Sequence, residues 1–158
     1  ILITGADIEH TDRRANFENT MRRLLEMNVL PIVNENDSIA TDEIVIGDND
    51  TLGAIVATTL GADLLIILSD IDGLYDSNPN ENEDAKLIPL VTEIDEDLYK
   101  IAGGKGSMLG TGGMVTKLHA AEITMAAGID TIVMNGEDPT DIYKALDGKQ
   151  IGTFFKGK

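Results

Sequence analysis

The sequence predicts an α/β domain with a mainly parallel central sheet. Short apolar runs that suit buried strands alternate with longer segments whose apolar residues recur at helical spacing. The run "LLIIL" at 64–68 is apolar on both faces, as expected of a central parallel strand. Alternation of strands and helices along a chain is typical of parallel sheets with helical crossovers.

The first half of the chain is expected to hold three strands and two helices. Apolar residues Phe17, Met21, Leu24 and Leu25 predict a helix from Thr11, with Asn28 as its stop. A second helix carries Leu52, Ile55, Val56 and Leu60, and Asp48 or Asp50 is its expected N-cap. The predicted strands are "ILIT" at 1–4, "VLPIV" at 29–33 and "LLIIL" at 64–68.

The second half begins with a polar, turn-rich excursion over 69–86. A glycine-rich segment over 103–114 separates a short predicted helix from a long one. For the last helix, Asp138 is the expected cap and Pro139 the expected first-turn residue. The predicted helices are 94–102, 115–127 and 138–146, and the predicted strands are 130–134 and 151–155.

Composition narrows the classes of function. The length of 158 residues suits one domain, and a net charge of −16 argues against nucleic acid or an anionic membrane as a partner. The chain has no cysteine. It shows no apolar run of about 18 residues and no basic-then-apolar start, so we expect neither a membrane span nor a signal peptide in these residues. These features are compatible with a cytoplasmic protein. Because the chain opens in a strand without Met, we expect it to be part of a longer protein.

Carboxylates and amides gather in two short stretches, "NEND" at 34–37 and "GDND" at 47–50. They follow a predicted strand and lead into a helix, which is where open α/β sheets bind ligands. Helix capping would explain one aspartate but not the whole group. Solvated loop residues and a pocket for a polar substrate are the alternatives for the others. An EF-hand calcium loop is disfavoured because Thr59 or Leu60 stands where its bidentate glutamate belongs.

The segment "LGTGGMVTKLHAAE" at 109–122 is the best candidate for an anion site. Its glycines permit close backbone approach, and Lys117 lies in the first helical turn, where a cation opposes the helix dipole. The segment is not a Walker A loop, and a flexible loop with a surface lysine remains the alternative. Ser69 and Asp70 at a strand end could meet a nucleotide or form a simple turn.

Taken in order, "VLPIVNENDSIATDEIVIGDNDTLGAIVA", "LLIILSDIDGLY", "GTGGMVTKLHAAEITMAAGIDTIV" and "IGTFF" resemble the amino-acid kinase family, in its glutamate 5-kinase branch. The resemblance implies a three-layer αβα sandwich that phosphorylates the γ-carboxylate of L-glutamate with ATP and Mg²⁺, the first step of proline biosynthesis. It also implies a homo-oligomer, either a dimer or a tetramer, and makes feedback inhibition by proline reasonable.

The resemblance also carries residue roles to matching positions. Asp50 would organise the lysines that handle phosphate, and Lys117 would neutralise phosphate charge, which makes these two the catalytic candidates. The glutamate site would hold Asp37, Asp48 and Asn49. Nucleotide contacts would come from Ser69, Asp70, Thr111, Gly112, Gly113, Met114, Val115, Thr116 and Lys117. No residue is assigned as a protein ligand to a metal.

One departure from the family pattern affects the expected activity. The family's N-terminal strand with a catalytic lysine, and its substrate-binding serine turn, have no counterpart here. We therefore expect residues 1–158 to be a partial kinase domain that carries the nucleotide half and part of the glutamate site, and to be nearly inactive alone. The alternatives are another amino-acid or carbamate-type kinase, or a non-catalytic module that binds a nucleotide or an amino acid.

Overall fold

A computed structural model describes residues 1–39, 46–79, 81–103 and 113–158 of the chain. Helices and strands are interspersed along these ranges, as the sequence predicts. The helices are α1 Gly5–Glu9, α2 Thr11–Glu26, α3 Asn49–Leu60, α4 Glu96–Ile101, α5 Met114–Ala126 and α6 Asp141–Leu146. The strands are β1 Leu2–Ile3, β2 Asn34–Glu35, β3 Leu64–Ser69, β4 Leu90–Val91, β5 Asp130–Asn135 and β6 Thr153–Phe155.

The main sheet has the strand order β3-β5-β6-β4. Strands β3 and β5 run parallel over their whole length, from the pair Leu64↔Asp130 to the pair Ser69↔Asn135. Strand β6 is antiparallel to β5 and parallel to β4. A separate parallel pair joins β1 to β2. The prediction of an α/β fold with mainly parallel strands is therefore confirmed.

Helices cover both faces of the main sheet. On β5, the buried Val133 packs in one apolar cluster with Leu118 of α5. Its neighbours Ile132 and Met134 point to the other face and pack with Ala145 of α6. This alternation follows from the two-residue period of a strand, and it gives the three-layer αβα arrangement that the sequence led us to expect.

Helices α3 and α5 pack closely on the same face of the sheet. Ala54 of α3 and Ala120 and Ala121 of α5 are fully buried in the shared cluster, and their small side chains allow close approach of the two helices. Contact between Asp50 and Thr116, both in first turns, shows that the two helices begin at the same end. The packing thus brings two helix N-termini together.

The predicted strand at 29–33 is wrong, because the strand lies at 34–35 instead. Pro31 has no N–H to donate to a ladder, and Leu30 is 84% exposed. Val29 N–H donates to the carbonyl of Leu24, so this segment begins as the cap of α2. Asn28 has a φ of 56°, which confirms it as the stop of that helix.

The last helix begins at Asp141 rather than at Pro139, so its predicted start is wrong. Asp138 does cap, but it caps a turn: its carboxylate accepts from both the N–H and the hydroxyl of Thr140. The short elements α1 and β4, which the sequence patterns did not predict, complete the fold. In the described part of the chain, no helix is long and apolar enough to cross a bilayer.

Candidate functional site

A buried charge pair lies where α3 and α5 begin. The ammonium of Lys117 is 3.1 Å from a carboxylate oxygen of Asp50, and the two side chains are 8% and 16% exposed. The hydroxyl of Thr116 lies 2.6 Å from the same oxygen of Asp50. We call Asp50, Thr116 and Lys117 the charge centre. The structure therefore brings together the two residues that the sequence nominates for catalysis.

The charge centre resolves an apparent conflict in the sequence. A lysine in the first turn of a helix opposes the helix dipole, and its burial adds a desolvation cost. The carboxylate of Asp50 offsets both effects, since it supplies an opposite charge at hydrogen-bond distance. A cation held in this way near two helix N-termini can interact with an anion that arrives from solvent.

The start of α3 confirms one capping prediction and leaves a second role open. Asp48 is the N-cap of α3: one carboxylate oxygen accepts from Thr51 N–H and the other from its hydroxyl, both at 2.8 Å. Asn49 is the first helical residue and is exposed. Asp37 is also exposed, in the turn after β2. These three predicted substrate residues thus lie near helix and strand ends, as ligand-binding residues commonly do.

A cavity of about 630 Å³ connects the two acidic stretches. Asn34 from "NEND" and Asn49 from "GDND" both line it, and its other walls are largely apolar. Two residues that are 15 positions apart in the sequence therefore line one cleft. Asparagine side chains can both donate and accept hydrogen bonds.

Polar side chains also gather at the ends of the parallel strands β3 and β5. The hydroxyl of Ser69 donates to Asp70 at 3.1 Å. Beyond it, Asp72 accepts from the amide of Asn135 at 2.9 Å and from the hydroxyl of Tyr75 at 3.0 Å. This hydrogen bond to Asp72 raises the pKa of Tyr75. The bonds tie the loop after β3 to the end of β5.

The loop after β3 is held against β6 as well. Gly73 has a φ of 152°, and a Cβ at this position would lie 2.6 Å from the hydroxyl of Thr153. That same hydroxyl accepts from the N–H of Leu74 at 2.8 Å. Only a glycine fits so close an approach without displacing the neighbouring strand.

A second cavity, of about 560 Å³, opens beside this loop. Its size lies in the range of small-molecule sites. Apolar walls from the loop, α4 and α5 alternate with polar groups that could orient a ligand. The lining residues are Ile71, Gly73, Leu74, Tyr75, Ser77, Asn78, Pro79, Glu81, Lys100, Ile101, Ala102, Gly103 and Met114.

Helix α4, which forms one wall of this cavity, is anchored to α5. The hydroxyl of Tyr99 donates to Glu122 at 2.8 Å, and the ring of Tyr99 belongs to the main core. Burial, and then the hydrogen bond to Glu122, raise the pKa of Tyr99 to about 12. Tyr99 therefore stays protonated and can donate throughout the physiological pH range.

The nucleotide-binding candidates from 111 to 115 divide into residues that the structure describes and residues that lie outside the described ranges. Gly113 is the N-cap of α5, Met114 is its first residue, and Val115 follows in the same turn. Thr111 and Gly112 lie outside the described residues. Met114 lines the 560 Å³ cavity. Since Met114 and Lys117 share the first turn of α5, this turn connects the cavity to the charge centre.

Comparison with known proteins assigns the family. Residues 1–135, more than half of the chain, match the amino acid kinase family. The chain belongs to this family. Among curated relatives, the glutamate 5-kinase of Idiomarina loihiensis is 51% identical over 99% of this amino acid kinase chain. The glutamate 5-kinase of Lactiplantibacillus plantarum is 51% identical over 98% of it.

These relatives are longer than the chain. The matches span only 42% of the Idiomarina protein and 60% of the Lactiplantibacillus protein. A solved structure, a carbamate kinase from Giardia lamblia bound to AMP-PNP, superposes with a TM-score of 0.63. It is 24% identical and covers 89% of this chain and 49% of its own, so it supports the amino acid kinase fold alone.

Proposed function

We propose that this amino acid kinase chain supplies the nucleotide half and part of the glutamate site of an enzyme that phosphorylates the γ-carboxylate of L-glutamate with ATP. One observation carries the proposal: a buried lysine pairs with Asp50, the residue that directly follows Asp48 and Asn49, which are proposed to hold the amino acid. The identity of about half of all residues with glutamate 5-kinases, over almost the whole chain, supports this choice of substrate.

The first element of the proposed site is the nucleotide position. The base and ribose would enter the 560 Å³ cavity, whose apolar walls suit a planar ring. The phosphates would then extend along the first turn of α5 toward Lys117, with Ser69 and Asp70 as further contacts. Gly113 caps this helix without a Cβ, so its backbone stays accessible to a phosphate. Thr111, Gly112 and Val115 complete this proposed set.

The second element is the amino-acid position. Asp48, Asn49 and Asp37 would hold glutamate, with a carboxylate taking the α-ammonium and the amide bonding the carboxylates. The γ-carboxylate is ionised near pH 7, so it needs no general base to attack. One of its oxygens would displace ADP from the γ-phosphorus in line, giving an acyl phosphate. Lys117 would lower the barrier by neutralising charge on the transferring group.

Asp50 has a separate part in this scheme. It holds the Lys117 ammonium in place and, through Thr116, ties the start of α5 to α3. Catalysis would then rest on position and charge rather than on a covalent intermediate.

Magnesium fits this site as a companion of the nucleotide. Among the described residues, no group of three or more His, Asp or Glu side chains is arranged to hold a metal. Mg²⁺ commonly binds through substrate phosphates, its own waters and one or two carboxylates. Asp50, which pairs with Lys117, and Asp70, a proposed nucleotide contact, would be the carboxylates available to it. The ion would supply charge neutralisation on the phosphates.

Several properties of the whole enzyme are part of this proposal. The relatives' name, glutamate 5-kinase, supports a role in the first step of proline biosynthesis. A cytoplasmic location, feedback inhibition by proline and a dimeric or tetrameric state are proposed from the resemblance in sequence. Exposed apolar residues such as Leu30 and Ile32, at 84% and 80% exposure, are compatible with association. No nucleic acid or membrane partner is proposed, because the net charge of −16 would repel nucleic acid and anionic membranes.

Isothermal titration calorimetry on residues 1–158 tests the proposal. We expect binding of ADP with Mg²⁺ and of L-glutamate, and none of UMP, a substrate of another kinase branch. A coupled ADP-release assay should show turnover far below that of an intact relative, since the chain spans only part of the relatives' length. If the chain binds neither ADP nor glutamate, the proposal is contradicted. If its turnover equals that of an intact relative, the claim that it carries only part of the glutamate site is contradicted.

A further inference from the structure

A carboxylate outside the proposed ligand set connects the two acidic stretches. Glu35, the last residue of β2, directs both oxygens at consecutive backbone amides of the segment before α3. Its Oε1 atom accepts from Ile46 N–H at 2.8 Å, and its Oε2 atom accepts from Gly47 N–H at 3.3 Å. Hydrogen bonds to an ionised carboxylate are stronger than those between neutral groups, so this contact is a firm connection between the segments.

The two sides of this connection are each well anchored. Glu35 pairs with Ile3 in the β1–β2 ladder, and Asn36 N–H donates to the carbonyl of Ile3 at 2.7 Å. Ile46 packs against the apolar cluster that includes Ile3. The carboxylate of Glu35 therefore fixes the distance between a strand and a helix start.

The backbone that follows the Glu35 contact leads directly into the start of α3. Gly47 has a φ of 92°, a left-handed conformation that favours glycine, and the next residue is the N-cap Asp48. With Asp48 bonded to Thr51, little freedom remains between the Glu35 carboxylate and the first turn of α3. A shift at Gly47 would therefore move Asp48 and Asn49 directly.

Within the described residues, no lysine or arginine forms an ion pair with Glu35, so backbone amides are the partners that account for its placement. We propose that Glu35 is a positioning residue of the amino-acid site: it sets Asp48 and Asn49 against the β2 end without touching the substrate. This inference rests on the proposed glutamate site.

Glu35→Gln is the test, because it keeps the length of the side chain but removes its charge and one acceptor. The glutamine side chain has one oxygen and one NH₂ group, and the NH₂ group cannot accept from a backbone N–H. One of the two hydrogen bonds is therefore lost. We expect amide hydrogen exchange at Ile46 and Gly47 to become about tenfold faster, and the Kd for L-glutamate in calorimetry to rise about tenfold. The Kd for ADP with Mg²⁺ should stay unchanged, since the charge centre is intact.

Two further variants serve as controls. Glu35→Asp keeps the charge but shortens the side chain by one methylene, so the glutamate Kd should rise less than in Glu35→Gln. This variant should also fold, which allows the comparison. Glu26→Gln removes an exposed carboxylate that pairs with Arg23, and it should change neither ligand's Kd. Circular dichroism and the melting temperature verify that each variant is folded.

The outcomes separate this inference from the function on which it rests. Unchanged exchange at Ile46 and Gly47, or an equal loss of affinity for glutamate and ADP, would overturn the positioning role in a chain that binds both. Failure of the unsubstituted chain to bind glutamate would overturn the inference and the proposed amino-acid site together.

Discussion

Replacing Asp50 by asparagine tests whether the charge centre is a true buried ion pair. The substitution keeps the shape of the side chain and an oxygen for Thr116, but it removes the negative charge that lies 3.1 Å from the Lys117 ammonium. Because the Lys117 side chain is only 8% exposed, water cannot replace that charge. We therefore expect a large loss in the free energy of unfolding.

The magnitude follows from the geometry. Removing one partner of a buried pair costs about 3–5 kcal/mol. The 16% exposure of Asp50 and the remaining amide oxygen favour the lower end, about 3 kcal/mol. In a chain of this size, about 1 kcal/mol lowers the melting temperature by about 2–4 °C, so Asp50→Asn should lower it by about 6–12 °C.

A double-mutant cycle measured by urea unfolding isolates the pair. Lys117→Met removes the cation and keeps most of the apolar volume, and in the double variant both charges are gone. Since a buried pair can be replaced by uncharged groups at little cost, the double variant should be more stable than Asp50→Asn alone. The coupling energy should be about 2–3 kcal/mol.

The pair Asp97–Lys100 provides a matched control on the surface of α4. Its two atoms are 2.6 Å apart, but the side chains are 80% and 70% exposed. The cycle for this pair should show no coupling comparable with that of the charge centre, because solvent screens exposed charges. Equal coupling energies for the two pairs, or strictly additive effects of Asp50→Asn and Lys117→Met, would refute the buried charge centre.

Three further predictions concern the elements around the site. Asp48→Asn should keep the α3 cap and the melting temperature but weaken glutamate binding in calorimetry. Asp48→Ala should weaken glutamate binding and also lose about 1 kcal/mol of stability by urea unfolding. Unchanged glutamate affinity in both variants would mean that Asp48 only caps the helix. Gly73→Ala should destabilise the chain by about 1–3 kcal/mol, because its Cβ would lie 2.6 Å from the Thr153 hydroxyl, and an unchanged melting temperature would contradict this. The pKa of Tyr99 is raised to about 12 in the folded chain, so as pH rises the unfolded state loses this proton first. The free energy of unfolding should therefore fall as pH rises from about 10 to about 12. Tyr99→Phe should reduce this fall, and identical pH profiles for the two chains would exclude Tyr99 as its cause.

Some elements could be predicted from local sequence because one short signal determines each of them. The strand β3, a helix cap at Asp48, one of two candidates, and the stop at Asn28 depend on neighbouring residues, and the structure confirms all three. The expected central position of β3 is wrong for the part of the chain that the structure describes, where β3 lies at the edge of the main sheet beside β5. The strand predicted at 29–33 is wrong because the apolar residues of this segment resemble those of a buried strand, whereas Pro31 has no N–H to donate to a neighbouring strand. Exposure of Leu30 shows that apolar character alone does not determine burial.

The candidate site divides in a similar way. Asp50 and Lys117 could be nominated from motifs, and the structure shows them in contact across 67 positions of sequence. Glu35 and Asp72 could not be singled out from sequence, because their partners lie on other segments and the distances depend on tertiary packing. A carboxylate that binds backbone amides has no sequence signature, since any residue can present the N–H.

Ligand binding to three forms of the chain tests the central claim most directly. In calorimetry, unsubstituted residues 1–158 should bind both ADP with Mg²⁺ and L-glutamate. Lys117→Met should lose ADP binding by at least about tenfold and keep glutamate binding, while Asp48→Asn should show the opposite pattern. If both variants weaken both ligands equally, or if Lys117→Met binds ADP as well as the unsubstituted chain, then the charge centre does not hold the nucleotide phosphates.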